Sequence, residues 1–302
     1  MKTYRIGIVG LGVMGREMAA TLDAHPRFRV VAGVDPRHPD VSFPLFEDAA
    51  TLIQKGGVDA IYAATPPRHH EAIVRLAVEA RKPILCEKPL AHSIASARAC
   101  RDLVYAAGLP AAVNFSFAAR DVAVRLHRVV ASGALGAVRD VNLRVRFGTW
   151  PRQWQSGAGA WLAGPEEGGF TREVISHFVF LANRLLGPGQ LRAATVERGD
   201  AGTETKLTAE IRHGNIAFTI DAGIGGTRDD DNRFLVRGDK GEIALVDWSH
   251  LDYAGDAGPV LPDSAPLDAL ADLLDGKPHG LASFDEGLAV VELVERMLNA
   301  TA

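Results

Sequence analysis

Two segments of this chain carry side chains suited to moving a proton, and a third is suited to holding phosphate. Lys88 follows the apolar run Pro83-Ile84-Leu85-Cys86 and stands between Glu87 and Pro89, which puts an ammonium where a strand should end. A lysine there can hydrogen-bond a reacting oxygen and stabilise the charge that develops on it. Glu173 and His177 are four residues apart, beside the apolar stripe Val174, Phe178, Leu181 and Leu185, so a helix would place them on one face next to its packing side. An imidazole exchanges protons near neutral pH, and a carboxylate one turn earlier can orient it or hold a substrate hydroxyl. In an oxidation, His177 is expected to take a hydroxyl proton as base while Lys88 steadies the forming alkoxide.

The phosphate-holding segment is Gly10-Leu11-Gly12-Val13-Met14-Gly15, which follows the apolar strand Tyr4–Val9 directly. In a strand–turn–helix of this kind Gly10 permits the tight turn, Gly12 lets backbone approach a pyrophosphate, and Gly15 lets the helix lie against the sheet. The phosphates then face a helix N-terminus. Asp35 comes twenty residues after Gly15, at the end of the second apolar run Phe28–Val34. A carboxylate at that strand tip accepts both hydroxyls of an adenosine ribose and repels a 2′-phosphate, which favours NAD; Arg37, two residues later, softens that preference and keeps NADP in play.

The elements that must position these groups alternate. After Phe28–Val34 come a short helix near Glu47–Gln54, a strand at Asp59–Ala64, a helix from about Arg68 to Ala80, the strand ending at Cys86, a helix over Ser93–Ala107 closed by Gly108, and a strand at Pro110–Phe115. This is the rhythm of a doubly wound parallel sheet of the Rossmann type, an α/β fold expected to span residues 1–118. From there to residue 302 the rhythm changes. A helix at Asp121–Ala131 leads to alternating strands at Val138–Phe147, Ala193–Glu197, Lys206–Arg212, Ile216–Ala222, Arg233–Arg237 and Glu242–Asp247, interrupted by a helix over Thr171–Leu186 and closed by an amphipathic helix, Phe284–Leu298. That pattern predicts a C-terminal α+β domain with a largely antiparallel open sheet.

Composition narrows the partners. A net charge of −4 over 302 residues offers no basic field for a nucleic-acid backbone, and no apolar run approaches the roughly 18 residues that span a bilayer. The two cysteines, Cys86 and Cys100, form neither a disulfide framework nor a metal-ligand set, so a reducing cytoplasmic setting is expected, without bound metal. His69 and His70 point apart on a helix and make a poor zinc pair. Asp229-Asp230-Asp231-Asn232 lacks calcium-loop spacing and reads as a solvated loop. Trp150, Trp154 and Trp161 flank the glycine-rich stretch Ser156–Gly169, where they either wall a sugar-sized pocket, Trp161 included, or pack beneath a loop.

In an open α/β sheet, ligands lie beyond the carboxyl ends of the strands. There the chain carries Ala64-Thr65-Pro66-Pro67-Arg68-His69-His70, whose prolines stiffen the backbone beside a flat ring, then Glu87-Lys88-Pro89 with a peptide bond that is a candidate for cis, and then Asn114-Phe115. Together G-L-G-x-M-G, A-T-P-P-x-x-H and C-E-K-P-L resemble the glucose-fructose oxidoreductase, inositol dehydrogenase and MocA family (Gfo/Idh/MocA), and the resemblance covers essentially the whole chain. It implies that Thr65, Pro66, Pro67 and His70 line the nicotinamide side, that Glu87 and Asn114 contact cofactor, and that Lys88 is catalytic. It also implies a homodimer or homotetramer built through the C-terminal sheet.

That family commonly has G-G-G followed by D-x-x-x-H in its second domain. His177 matches its catalytic histidine, while Glu167 and Glu173 stand where glycine and aspartate are usual. Arg172, beside the pair, either marks an anionic substrate or is a solvated helix residue. The resemblance implies a dehydrogenase or reductase acting with NAD(P) on a sugar, polyol or related small molecule. A carboxylate-bearing carbonyl or imine is the alternative substrate, and a non-catalytic NAD-binding sensor the alternative class.

Overall fold

The computed structural model describes residues 2–158 and 160–300; Gly159, within the glycine-rich stretch Ser156–Gly169, lies outside the described residues. The chain divides into two compact units, residues 2–115 with 264–288, and residues 116–263 with 289–300. The division falls inside the last helix, between Leu288 and Ala289.

The first unit is built from β1 (Tyr4–Val9), α1 (Val13–Ala24), β2 (Phe28–Val34), α2 (Ala49–Lys55), β3 (Ala60–Ala63), α3 (His70–Glu79), β4 (Ile84–Glu87), α4 (Ile94–Ala107) and β5 (Ala111–Asn114). The strands pair in parallel in the order β2-β1-β3-β4-β5. Strands β3 and β4 are buried throughout, as the central strands of a sheet covered on both faces must be. Helix boundaries follow local chemistry. Asp48 and Ser93 cap α2 and α4 by accepting the amides of Thr51 (2.7 Å) and Ser96 (3.2 Å). Gly108, at φ +57°, ends α4 in the left-handed conformation that glycine reaches without strain.

The second unit contains α5 (Asp121–Ala131), β6 (Val138–Phe147), α6 (Ser176–Leu186), β7 (Gln190–Arg198), β8 (Glu204–His213), β9 (Ile216–Ile224), β10 (Asp231–Gly238), β11 (Glu242–Val246) and β12 (His250–Asp252). Its seven strands run in the order β12-β11-β10-β6-β9-β8-β7, antiparallel except where β6 lies parallel to β9. Alternation sorts the two faces. Val141, Leu143, Val145 and Phe147 of β6 are buried with Phe218, Ile220 and Ala222 of β9. The opposite positions carry ion pairs such as Arg144–Asp231, Arg146–Asp221, Arg233–Asp252 and Arg237–Asp140. Helix α6 is buried from Ser176 to Ala182, and Phe178 stacks on Phe234 at 6.0 Å.

The structure adds a helix absent from the sequence reading, α7 (Ala265–Leu274), ahead of α8 (Phe284–Leu298). It returns the chain to the first unit. Leu270, Leu273 and Leu274 face the same small gap as Ile6, Leu22, Ile61 and Ile84, while the Tyr4 hydroxyl donates to Asp275 at 2.7 Å. Beyond it, the Val113 amide donates to Ala282 O at 2.8 Å, covering the open edge of β5. Among the described residues no helix is long and apolar enough to cross a membrane.

Candidate active site

The turn after β1 is closed everywhere except at its middle glycine. A Cβ on Gly10, which sits at φ +96°, would lie 2.6 Å from the Ala64 carbonyl oxygen, and one on Gly15 would lie 1.9 Å from that of Gly10. Both positions therefore require glycine. Around Gly12 the nearest neighbour of such a Cβ is the Arg37 guanidinium, at 3.4 Å. Gly12 is the N-cap of α1 and no side chain caps that end, so the helix start is a backbone cradle of the kind that receives phosphate. Val13 and Met14 flank it, Met14 exposed. Leu11 is buried, and its amide donates to Asp35 Oδ2 at 2.8 Å.

Asp35 is 5% exposed and organises the strand tip. Its Oδ1 accepts the Arg37 amide at 2.9 Å and Arg37 Nε at 3.1 Å. Burial pushes the carboxyl upward, but the hydrogen bonds from Arg37 and from the Leu11 amide outweigh it and hold the group below its ordinary range. Asp35 is thus a carboxylate partly neutralised by an exposed guanidinium.

Three groups expected to face cofactor also fasten the fold. His70 has no exposed surface. Its Nε2 lies 2.9 Å from Thr65 O, and its Nδ1 lies 3.1 Å from Pro89 O and 3.3 Å from Leu90 O, so the ring ties the loop after β3 to the loop after β4. Burial pushes its pKa down and the carbonyl contacts oppose this. Glu87 is also buried. Its Oε1 accepts from the Tyr62 hydroxyl and from Asn114 Nδ2 (2.6 Å), and its Oε2 from the Lys88 amide (3.2 Å). Burial raises the Glu87 carboxyl while those donors and the Lys88 charge pull it back, and burial together with Glu87 drives the Tyr62 phenol far up. The polar atoms of His70 and Glu87 and the Nδ2 of Asn114 are thus engaged within the fold. The signal for this network was Tyr62 in an otherwise apolar buried strand, because a buried phenol needs an acceptor.

The loop after β3 suits a ligand. Thr65 Oγ1 is buried without a hydrogen-bond partner, beside Pro66 and the buried Pro67, and such an orphan is costly unless something polar meets it. Lys88 is half-buried, with a cis bond to Pro89. The open side of Gly12, the Asp35 carboxylate and the unpaired Thr65 hydroxyl fit a dinucleotide's phosphates, ribose and amide.

In the second unit, the helix bearing Glu173 and His177 opens with a π segment, Thr171–Ile175, before continuing as α6. Such wide turns recur at functional sites. Glu204, 1% exposed, closes its start by accepting the Thr171 amide at 2.6 Å, and a Cβ on Gly169 would collide with that carboxylate at 2.4 Å. Glu173 is half-buried and His177 is 5% exposed. The Ser116 amide donates to His177 Nδ1 at 3.3 Å. A backbone N–H can only donate, so Nδ1 is the acceptor in this contact and the neutral imidazole carries its proton on Nε2. To accept a proton at Nε2 the ring would have to shift its own proton to Nδ1 and lose the Ser116 contact. Phe117 and Trp248 stand edge-on to the ring at 6.1 and 5.3 Å.

Arg172 does not serve an incoming anion. Its Nε and one terminal nitrogen hold Glu295 at 2.6 and 2.9 Å, and the other terminal nitrogen donates to Pro165 O and Gly168 O, each at 2.9 Å. The anionic-substrate expectation for Arg172 is corrected on that ground. Trp150 packs on Phe147 and Phe170 and donates to Leu162 O, Trp154 is exposed, and Trp161 is half-buried. Asp230, expected in a solvated loop, instead accepts from Arg152 (2.6 Å), Trp248 Nε1 (2.7 Å) and Asn232 (3.0 Å). Sequence reasoning missed Ser116, Glu204, Trp248 and Glu295. Among the described residues no group of three or more His, Cys, Asp or Glu side chains is placed to hold a metal ion.

Two family models match the chain. A family model described as an oxidoreductase family with an NAD-binding Rossmann fold matches residues 4–115, and the Gfo/Idh/MocA C-terminal domain matches residues 123–244. Inositol 2-dehydrogenase 1 of Saccharopolyspora erythraea is 40% identical over 105 residues, 31% of this chain and 31% of that protein, so the match spans about a third of that relative's length. D-apiose dehydrogenase of Rhizobium rhizogenes is 26% identical over 270 residues, 84% of this chain and 73% of that protein. The crystal structure of the WlbA dehydrogenase of Bordetella pertussis, in complex with NADH and UDP-GlcNAcA, superposes with a TM-score of 0.83 at 20% identity, covering 98% of this chain and 97% of that one.

Proposed function

Because the chain belongs to the Gfo/Idh/MocA family of NAD-binding oxidoreductases, we propose that it is a dehydrogenase acting between NAD and a secondary carbinol of a sugar, polyol or similar small hydroxylated compound. The carrying observation is the cradle at Gly12, open where its two neighbouring glycines are closed, with Asp35 and the orphaned Thr65 hydroxyl at adjoining strand ends. The names of the inositol and apiose dehydrogenases among its relatives support the substrate class.

NAD, when bound, accepts the electron pair and hydrogen that leave the carbinol carbon. The Gly10–Gly15 turn would hold its pyrophosphate and Asp35 its adenosine ribose. Lys88 would exchange a substrate hydroxyl proton, and His177, in its Nε2–H form, would donate a hydrogen bond to substrate. Glu173 would hold a neighbouring substrate hydroxyl. A carboxylate-bearing substrate is the weaker reading, because Arg172 is committed to Glu295. Buried free thiols at Cys86 and Cys100, the latter pushed up to about 12 by burial, suit a reducing cytoplasm. Assembly into a homodimer or homotetramer through the outer face of the seven-stranded sheet would join surfaces patterned with ion pairs, so it should weaken with salt in sedimentation.

The test is a panel of polyols, aldoses and hydroxy acids assayed by NADH absorbance, with Lys88→Ala beside the parent chain. Turnover on a hydroxylated neutral compound, lost in Lys88→Ala while NAD affinity holds, is the expected outcome. Undiminished turnover in Lys88→Ala removes Lys88 from the reaction, and bound NAD with no turnover on any member favours a sensor.

A further inference from the structure

The Asp35 carboxylate has no acceptor position left over. Its Oδ1 receives the Arg37 amide at 2.9 Å and Arg37 Nε at 3.1 Å, and its Oδ2 receives the Leu11 amide at 2.8 Å and Arg37 Nη2 at 3.3 Å. A carboxylate offers about four lone-pair sites, so these donors fill it. A ribose hydroxyl that donates to Asp35 must therefore displace one of them. Two are backbone amides, and the other two belong to a single side chain.

The backbone donors cannot leave cheaply. Leu11 is buried between Gly10 and Gly12, and the turn that carries Arg37 is held by Pro36, whose ring fixes its φ, and by the His38 amide, which donates to Asp35 O at 3.0 Å. The Arg37 side chain differs. It is 60% exposed against 5% for Asp35, so water stands ready to receive the guanidinium once it parts from the carboxylate. The same guanidinium also borders the glycine cradle, since its Nη2 is the atom nearest to a Cβ built on Gly12, at 3.4 Å. One mobile cation thus touches both the carboxylate and the cradle.

We propose that Arg37 gates the ribose position and sets the choice of cofactor: its fork leaves Asp35 when a dinucleotide binds, and the freed guanidinium pairs with a 2′-phosphate where the nucleotide carries one, so that NADP is accepted beside NAD. With NAD, two charge-assisted bonds to Asp35 are exchanged for bonds from ribose hydroxyls. With NADP, the fork regains in the phosphate the paired oxygens it gave up in the carboxylate. Asp35 keeps its two backbone donors in either case. This rests on the reading of Asp35 as the carboxylate that meets the adenosine ribose.

The experiment is calorimetric and needs no turnover: binding of ADP-ribose and of its 2′-phosphate to the parent chain, Arg37→Ala, Arg37→Lys, Asp35→Ser and Asp35→Asn, with thermal unfolding as the check on folding. Arg37 is exposed, so its variants are expected to fold. The parent chain should bind both ligands. Arg37→Ala should bind the 2′-phosphate about 10–10²-fold more weakly, the worth of one charge-assisted pair, and ADP-ribose as tightly as the parent or more so, because no bond to Asp35 has to break. Arg37→Lys, a charge without a fork, should fall between. A parent chain that does not bind the 2′-phosphate, or an Arg37→Ala protein with neither affinity altered or both weakened equally, overturns the inference while leaving Asp35 as the ribose ligand. ADP-ribose affinity untouched in Asp35→Ser and Asp35→Asn removes that reading, and the inference falls with it.

Discussion

Replacing Glu295 with alanine leaves the Arg172 guanidinium inside the second unit with its two carbonyl acceptors but no counter-charge. The two side chains are 8% and 12% exposed, so little water can compensate. Breaking one side of a buried pair costs about 3–5 kcal/mol. For a unit of this size each kcal/mol moves the melting temperature by roughly 2–4 °C, so Glu295→Ala should melt about 6–20 °C below the parent chain. Arg172→Met with Glu295→Leu should recover part of that loss, because no charge is stranded, but not all of it, because the carbonyls of Pro165 and Gly168 lose their donor. Calorimetry, followed in parallel by tryptophan fluorescence, reads the shift. A Glu295→Ala protein melting within about 2 °C of the parent would show that the pair does not hold this region. If Arg172→Met were in addition to lose activity only on carboxylate-bearing substrates, the arginine would revert to an anion site.

His177→Gln, which keeps an N–H donor near the place of Nε2 but cannot act as a base, should retain kcat within about tenfold, while His177→Ala should lose about 10²–10³-fold; equal loss in both would restore the histidine as proton acceptor. Because Glu87 has its pKa raised in the folded protein, the native state binds its proton more tightly than the unfolded chain does, so its contribution to stability is present below the ordinary glutamate range and is lost as pH rises through the raised value. Glu87→Gln should therefore flatten the fall in stability above about pH 4.5 in urea titrations, and an unchanged slope would count against the assignment. Asp35→Ser frees Arg37 and removes the charge that repels a 2′-phosphate, so it should raise kcat/KM for NADP relative to NAD; steady-state kinetics with both cofactors checks it, and an unaltered ratio would place the discrimination elsewhere.

Local rules settled the first unit and the general shape of the second. Strand runs and their spacing announced five parallel strands, Ser93 and Gly108 bounded α4, and the glycines of the first turn announced their own geometry, because each of these depends on neighbours a few residues away. The placement of Asp35 after β2 is of the same kind. Tertiary structure alone decided what the polar side chains do. Arg172 and Glu295 are 123 residues apart, Tyr62 and Glu87 are 25 apart, and His177 meets the Ser116 amide across 61. No periodicity reports such pairings, so residues of the right type for binding, His70, Glu87, Asn114 and Arg172, proved to have partners inside the fold. Trp248, between β11 and β12, carried no chemical signature at all until folding brought it against an imidazole, since a side chain's role is set by which atoms finally surround it.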